Sequence, residues 1–179
     1  SDDPSETNPG DIVDQYNLAV VNEAVAAANP DRPAIITADS TTTYAELTAR
    51  TRRLANALHQ RGFGCHTERS ELAGHESGQD HMAIYLHNGP EYIEAMIAAF
   101  KARVAPLNVN YRYVAEELRY LLDNSKARIV VYHDAFAPTL AEVLPDLDDV
   151  ALLIQVADES GNDLLEGAIR YEDIIAEGS

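Results

Sequence analysis

Lysine is nearly missing from this chain: Lys101 and Lys126 are the only two. Neither follows a glycine or sits in a Gly/Ser/Thr-rich loop. That excludes a Walker-type phosphate loop, which needs Gly-Lys so that backbone amides and one ammonium surround the phosphates. Gly62 and Gly64 have no third glycine at dinucleotide-binding spacing, and no Gly-x-Ser-x-Gly nucleophile elbow occurs. Cys65 is the sole cysteine, so no internal disulfide forms, as suits a reducing compartment. No apolar run reaches the ~18 residues of a membrane-spanning helix. The opening "SDDPSETNPGD" is acidic and polar, unlike a signal peptide. The expectation is a soluble, cytoplasmic protein with no membrane span.

Positive charge is scarce as well. Thirteen basic residues face 30 acidic ones, a formal net charge of −17. Such a surface repels nucleic acid and anionic lipid. From His133 onward Arg170 is the only basic residue. That local excess of acid reads as a solvated face, or as the counterpart of a more basic segment lying nearby.

What is present suits a globular fold. A chain of 179 residues can bury roughly 70% of its unfolded surface without disulfides. Residues 1–17 read as a flexible N-terminal arm and 18–179 as an α/β unit. "NLAVVNEAVAAANP" predicts a helix stopped near Pro30, and "PAIITAD" a strand. Thr43 and Glu46 form a capping box ahead of a helix whose stripe is Leu47, Thr51, Leu54 and Leu58, with Gly62 as its stop. Residues 62–80 have no clean period and read as a long polar connection. From residue 81 to 156 the pattern is strand, helix, short strand, helix, strand, helix, strand. "HMAIYL", "ARIVVYH" and "VALLIQV" are apolar strands suited to cover on both faces. Ile93, Met96, Ile97 and Phe100 predict one buried helical stripe, and Val114, Leu118, Leu121 and Leu122 another. "YEDIIAE" is a last short helix. The expected class is α/β, a parallel or mixed sheet flanked by helices.

Few residues suggest chemistry. "HNGPEY" places a helix start after a strand, a place that favours anions. Pro90 has no N–H to offer there and Glu91 brings negative charge, so a structural turn is the better reading. Cys65, His66, His75 and His81 fit no closed metal-ligand spacing. Asp134 reads as a helix cap. "NVNYRY" is the most distinctive polar stretch. Asn108, Asn110, Tyr111 and Arg112 lie between a strand and a helix, where open α/β sheets bind ligands, and Arg112 suits a carboxylate. The same composition also suits a stiff turn, with Arg112 bridging loops.

"TTTYAEL" resembles the first conserved core of adenylate-forming enzymes, Thr/Ser-Tyr-x-Glu-Leu. "HMAIYLHNGPEYIEAMIAAFKARVAPLNVNYR" resembles the second region of their acyl-CoA synthetase branch, and "YVAEELRYLLDNSKARIVVYH" continues the match. The similarity runs over residues 18–178. It is strongest to actinobacterial fatty-acid and steroid-side-chain CoA ligases, through "NVNYRYV". Arg103 stands where many of that family have glycine, and the loop 65–80 is longer than their usual connection.

The resemblance implies a ligase that uses ATP and Mg2+ to make an acyl-adenylate, then passes the acyl group to coenzyme A. Its substrate would be a fatty acyl or steroid-side-chain carboxylate. In that family the phosphate loop, the adenine and ribose contacts and the catalytic lysine follow the region present here. No catalytic, cofactor-binding or metal-binding residue is therefore carried over. Two functions stand side by side. One is the N-terminal portion of such a ligase, inactive by itself, with the remainder of the ligase chain as its partner and a homodimer as a further contact. The other is a stand-alone, non-catalytic α/β binding or regulatory module derived from one. The chain begins without methionine and stops after a short helix, so the expectation is that the gene continues.

Overall fold

Local signals set the ends of the helices. The computed structural model of the chain describes residues 17–178; all of the expected arm but Asn17 lies outside them. Helix α1 (Leu18–Ala28) is capped by Asn17, whose side chain accepts the Val20 N–H at 2.9 Å. Strands β1 (Pro33–Ile36) and β2 (Thr41–Thr43) pair as a small antiparallel hairpin. Helix α2 (Tyr44–Gln60) starts at the capping box read from the sequence. Glu46 Oε2 accepts the Thr43 N–H at 2.8 Å, and Thr43 Oγ1 accepts the Glu46 N–H at 3.2 Å. The chain leaves α2 at Gly62, whose φ of +81° suits a residue without Cβ.

The main sheet comprises β3 (His81–Tyr85), β4 (Ala105–Asn108), β5 (Ala127–His133), β6 (Leu152–Val156) and β7 (Ile169–Arg170). All its pairings are parallel, in the order β4-β3-β5-β6-β7. Helices α3 (Pro90–Lys101), α4 (Ala115–Asn124), α5 (Ala137–Val143) and α6 (Tyr171–Glu177) complete the fold. Strand alternation sorts the core into two faces. Met82, Ile84, Ile129, Val131 and Ile154 pack with residues of α2, α3 and α6. Ala83, Tyr85, Val130 and Tyr132 pack with Leu118 and Leu122 of α4 and Leu140 and Val143 of α5. The class is α/β with a wholly parallel main sheet, and the antiparallel pair stands apart from it.

Several side chains differ from the sequence expectation. On α3 the buried residues are Glu94, Ala95, Ala98 and Ala99, while Ile93 is exposed. The fully buried stripe lies on the face opposite the expected one, because alanines let the helix lie close on the sheet; Met96, Ile97 and Phe100 stay half-buried on the other side. Glu94 tolerates burial because Arg50 and Tyr171 bind its carboxylate. Val114 precedes α4 and is exposed rather than part of its stripe. Arg103 has φ +58°, the left-handed conformation that explains a glycine at this step in the resembling family.

Strand β4 is an edge. The Ala105 and Val109 N–H groups donate to the Asp80 and Ile84 carbonyls. By alternation Pro106 and Asn108 face outward, and Pro106 has no N–H.

Candidate functional site

The strand order reverses between β3 and β5. The chain goes from β3 out to β4, then crosses back to β5. Such a reversal leaves a crevice beyond the carboxyl ends of the two strands, where open α/β sheets bind ligands. The residues that close these strands and the loops after them therefore define the candidate site.

A ring cluster fills this position. Tyr85 stacks on Phe136 with centroids 4.3 Å apart. The His87 ring lies 4.7 Å from Phe136, 5.0 Å from Tyr111 and 5.6 Å from His133. The His87 N–H donates to His133 Nδ1 at 3.0 Å, tying the β3–α3 turn to the end of β5. Burial, the largest influence, holds the His133 pKa below its ordinary value.

The "NVNYRY" residues reach the crevice in part. Asn108 pairs within β4 opposite Ile84. Asn110 Oδ1 accepts the Arg112 N–H at 3.0 Å, and its carbonyl accepts the Tyr113 N–H at 3.0 Å, so Asn110 stiffens the turn. Tyr111 is brought onto His87. Arg112 neither pairs with a carboxylate of the described residues nor bridges loops; its guanidinium lies 5.5 Å from the Tyr111 ring centroid. His87 and His133 were missed from sequence, although "YLH" and "VYH" place a histidine at the end of both central strands.

Beside the cluster, Asp134 carries a buried network. Its Oδ1 accepts from Gln155 Nε2 and from Arg170 Nη1, both at 2.6 Å. Gln155 Oε1 accepts the Tyr132 hydroxyl at 2.6 Å and the Leu165 N–H at 2.9 Å. Asp134 is thus no helix cap: the Ala135 N–H is taken by Asp158 at 2.9 Å. The carboxylate of Asp134 is held inward because Gln155 and Arg170 offer it charge and donors in a buried place.

This end of the sheet does not fit a nucleoside triphosphate. Helix α3 has no side-chain cap, begins with Pro90 and carries Glu91 in its first turn. Asp134 and Asp158 add carboxylates, and Arg170 is spent on Asp134. Lys101 is paired with Glu23 on α1, and Lys126 with Asp123 and Asp149. Nothing here gathers amides and cations around three phosphates.

The opposite end of the sheet holds the long connection 62–80. Buried Asp80 accepts from the Gly64 N–H at 2.9 Å and from Arg128 at 2.9 Å, and meets His66 Nε2 at 2.7 Å. His81 binds the Ser125 carbonyl and Ser77 Oγ. Cys65 donates to the Thr67 carbonyl at 3.3 Å and bridges to Gln79. A Cβ at Gly78 would lie 1.9 Å from the Thr67 carbonyl oxygen, so the loop closes where only glycine fits. The segment is a tied loop, remote from the crevice.

Similarity to known proteins agrees with this architecture. Over 166 residues the chain is 54% identical to the medium-chain acyl-CoA ligase Mig of Mycobacterium avium, covering 93% of this chain and 30% of that protein. It is 35% identical over 164 residues to the 3-oxocholest-4-en-26-oate–CoA ligase of Rhodococcus rhodochrous, covering 91% of this chain and 27% of that protein. The chain thus spans about 30% of the length of these curated relatives. Its fold matches a long-chain-fatty-acid–CoA ligase structure from Archaeoglobus fulgidus with a TM-score of 0.73 at 20% identity, covering 98% of this chain and 32% of that one. The family described as AMP-binding enzyme matches residues 22–174. With most of its length matched in this way, the chain belongs to the AMP-binding enzyme family.

Proposed function

We propose that residues 18–179 form the N-terminal α/β part of a fatty-acid or steroid-side-chain CoA ligase. The whole enzyme would join a carboxylate to AMP at the expense of ATP with Mg2+, then transfer the acyl group to coenzyme A. The observation that carries this reading is 54% identity over 93% of the chain to a medium-chain acyl-CoA ligase three times as long by coverage. The lack of fit to a triphosphate supports the second half of the reading: this part is inactive alone, binds no nucleotide and borrows the phosphate-binding groups from the rest of the ligase. A cytoplasmic location goes with a reaction that consumes ATP and coenzyme A. No helix of the described residues is long and apolar enough to cross a membrane.

Asn108, Asn110, Tyr111 and Arg112 remain the proposed substrate-side residues. Arg112 supports this most, as a guanidinium without a carboxylate partner among the described residues, beside the Tyr111 ring that packs on His87. The apolar patch of Ile36, Tyr92 and Ile93, beside Asn88 and Gly89, supports a contact with further protein, either the remaining ligase or a second copy.

The test is coupled synthesis. The full-length product of the gene is assayed for AMP and acyl-CoA with medium-chain, long-chain and steroid-side-chain acids, next to the 179-residue chain alone. Acyl-CoA from the long form and none from the short form is expected. Acyl-adenylate made by the short form, or a gene encoding no further protein, overturns the proposal.

A further inference from the structure

The β3–α3 turn hangs on an imidazole. His87 donates its backbone N–H to Nδ1 of His133 at 3.0 Å. A ring nitrogen accepts only while it carries no proton, so this bond requires neutral His133 with its proton on Nε2. The two residues follow or close the strands on either side of the switch point. The His87 ring in turn touches Tyr111 and Phe136. One acceptor atom thereby fixes the entry to α3 and, through the His87 ring, the loop that bears Tyr111 and Arg112.

Groups from every neighbouring element face His133. They are His87 from the turn, Glu91 from the first turn of α3, Asp134 beside it and Asp158 from the segment after β6. Burial disfavours the cation and so does His87, while the three carboxylates favour it; burial prevails. A protonated ring would point an N–H at the N–H of His87 and lose the bond. The nearby carboxylates offer that cation other acceptors.

We propose that His133 is a proton-operated latch on the switch-point crevice. Neutral, it pins the β3–α3 turn across β3 and β5; taking a proton from solvent, it releases the turn and loosens the Tyr111–Arg112 loop. The proposal stands on the ring geometry and does not depend on the acyl-CoA reading. Because the folded state holds His133 less readily protonated than the unfolded chain does, its stabilising contribution is complete above about pH 6.5. It is lost as pH falls through the lower folded value.

The experiment is amide exchange at His87 read by NMR on the full chain, between about pH 7.5 and about pH 5, referenced to core amides such as that of Val130. His133→Asn keeps an acceptor oxygen near the place of Nδ1 and does not titrate. Protection at His87 should fall about fivefold or more in the unsubstituted chain, with parallel shifts of the Tyr111 ring signals, and stay flat in H133N. Equal pH curves for the two proteins would overturn the latch. Should H133N fail to fold, the 15N signals of the His133 ring in the unsubstituted chain decide alone. The neutral form with its proton on Nε2, titrating together with His87 protection, supports the proposal. A proton on Nδ1 near pH 7.5, or titration that leaves His87 unchanged, defeats it.

Discussion

Glu94 concentrates more demand than any other single side chain of the first core face. It is 3% exposed on a helix face otherwise lined by alanine. Arg50 grips both its oxygens at 2.7 and 3.0 Å, and Tyr171 donates its hydroxyl at 2.9 Å. Burial, the first cause, and then the Glu94 charge push the Tyr171 hydroxyl pKa well up, so it stays a donor. Truncating Glu94 leaves Arg50 with Glu172 alone and Tyr171 with no acceptor. Glu94→Ala should cost about 2–4 kcal/mol, read as a shift in the denaturant midpoint at constant slope. Glu94→Gln should recover part of this, since an amide oxygen still accepts. A loss below about 0.5 kcal/mol for the alanine variant would mean the cluster is ornamental. None of this was legible in "PEYIEAMIAAF". Helical periodicity ranks a glutamate as surface, and only the arrival of Arg50 and Tyr171 from distant sequence reverses that.

At the scale of elements, one buried carboxylate ties the connection 62–80 to β5. Asp80 is nearly buried, yet its pKa lies below the ordinary value. Burial, the largest influence, raises it, and the Gly64 N–H, His66 and Arg128 together outweigh burial. A lowered folded pKa means that the stabilisation is complete above about pH 4 and lost as pH falls through the folded value. Mild acid should therefore free the 64–80 loop. Limited proteolysis should cut between Thr67 and Gly78 faster as pH falls from about 5 to about 3. Asp80→Ala should show that faster cutting at neutral pH as well. If cutting tracks global unfolding instead, Asp80 does not act as the tie.

The elements themselves were mostly readable. The capping box of α2, the proline start of α3 and the apolar runs of β3, β5 and β6 are local signals, and they set element bounds. β2, with three residues, and β7, with two, were not. Strands that short carry no period of their own and exist through the partner they pair with. The crevice was half visible. Its polar loop announced itself as "NVNYRY", but His87 and His133 face each other only because the strand order reverses, which no single stretch of sequence states.

The molecule as a whole is acidic, with −17 formal charges, and its two lysines are tied in ion pairs away from the crevice. The acid excess disfavours a triphosphate, and the described residues around the switch point gather no cluster of cations to seat one. Calorimetric titration of the 179-residue chain with MgATP should give no saturation below about 1 mM. Micromolar binding would require a cradle that these residues do not form. The outer edge of the main sheet bears on another property of the molecule. Pro106 faces outward on β4 and lacks the hydrogen that a foreign strand would need to begin pairing. An isolated sheet with a fully competent border templates the growth of fibrils; this border interrupts the template at its middle. Replacing that one ring by an open-chain residue would restore a continuous row of donors and make the protein's rim adhesive.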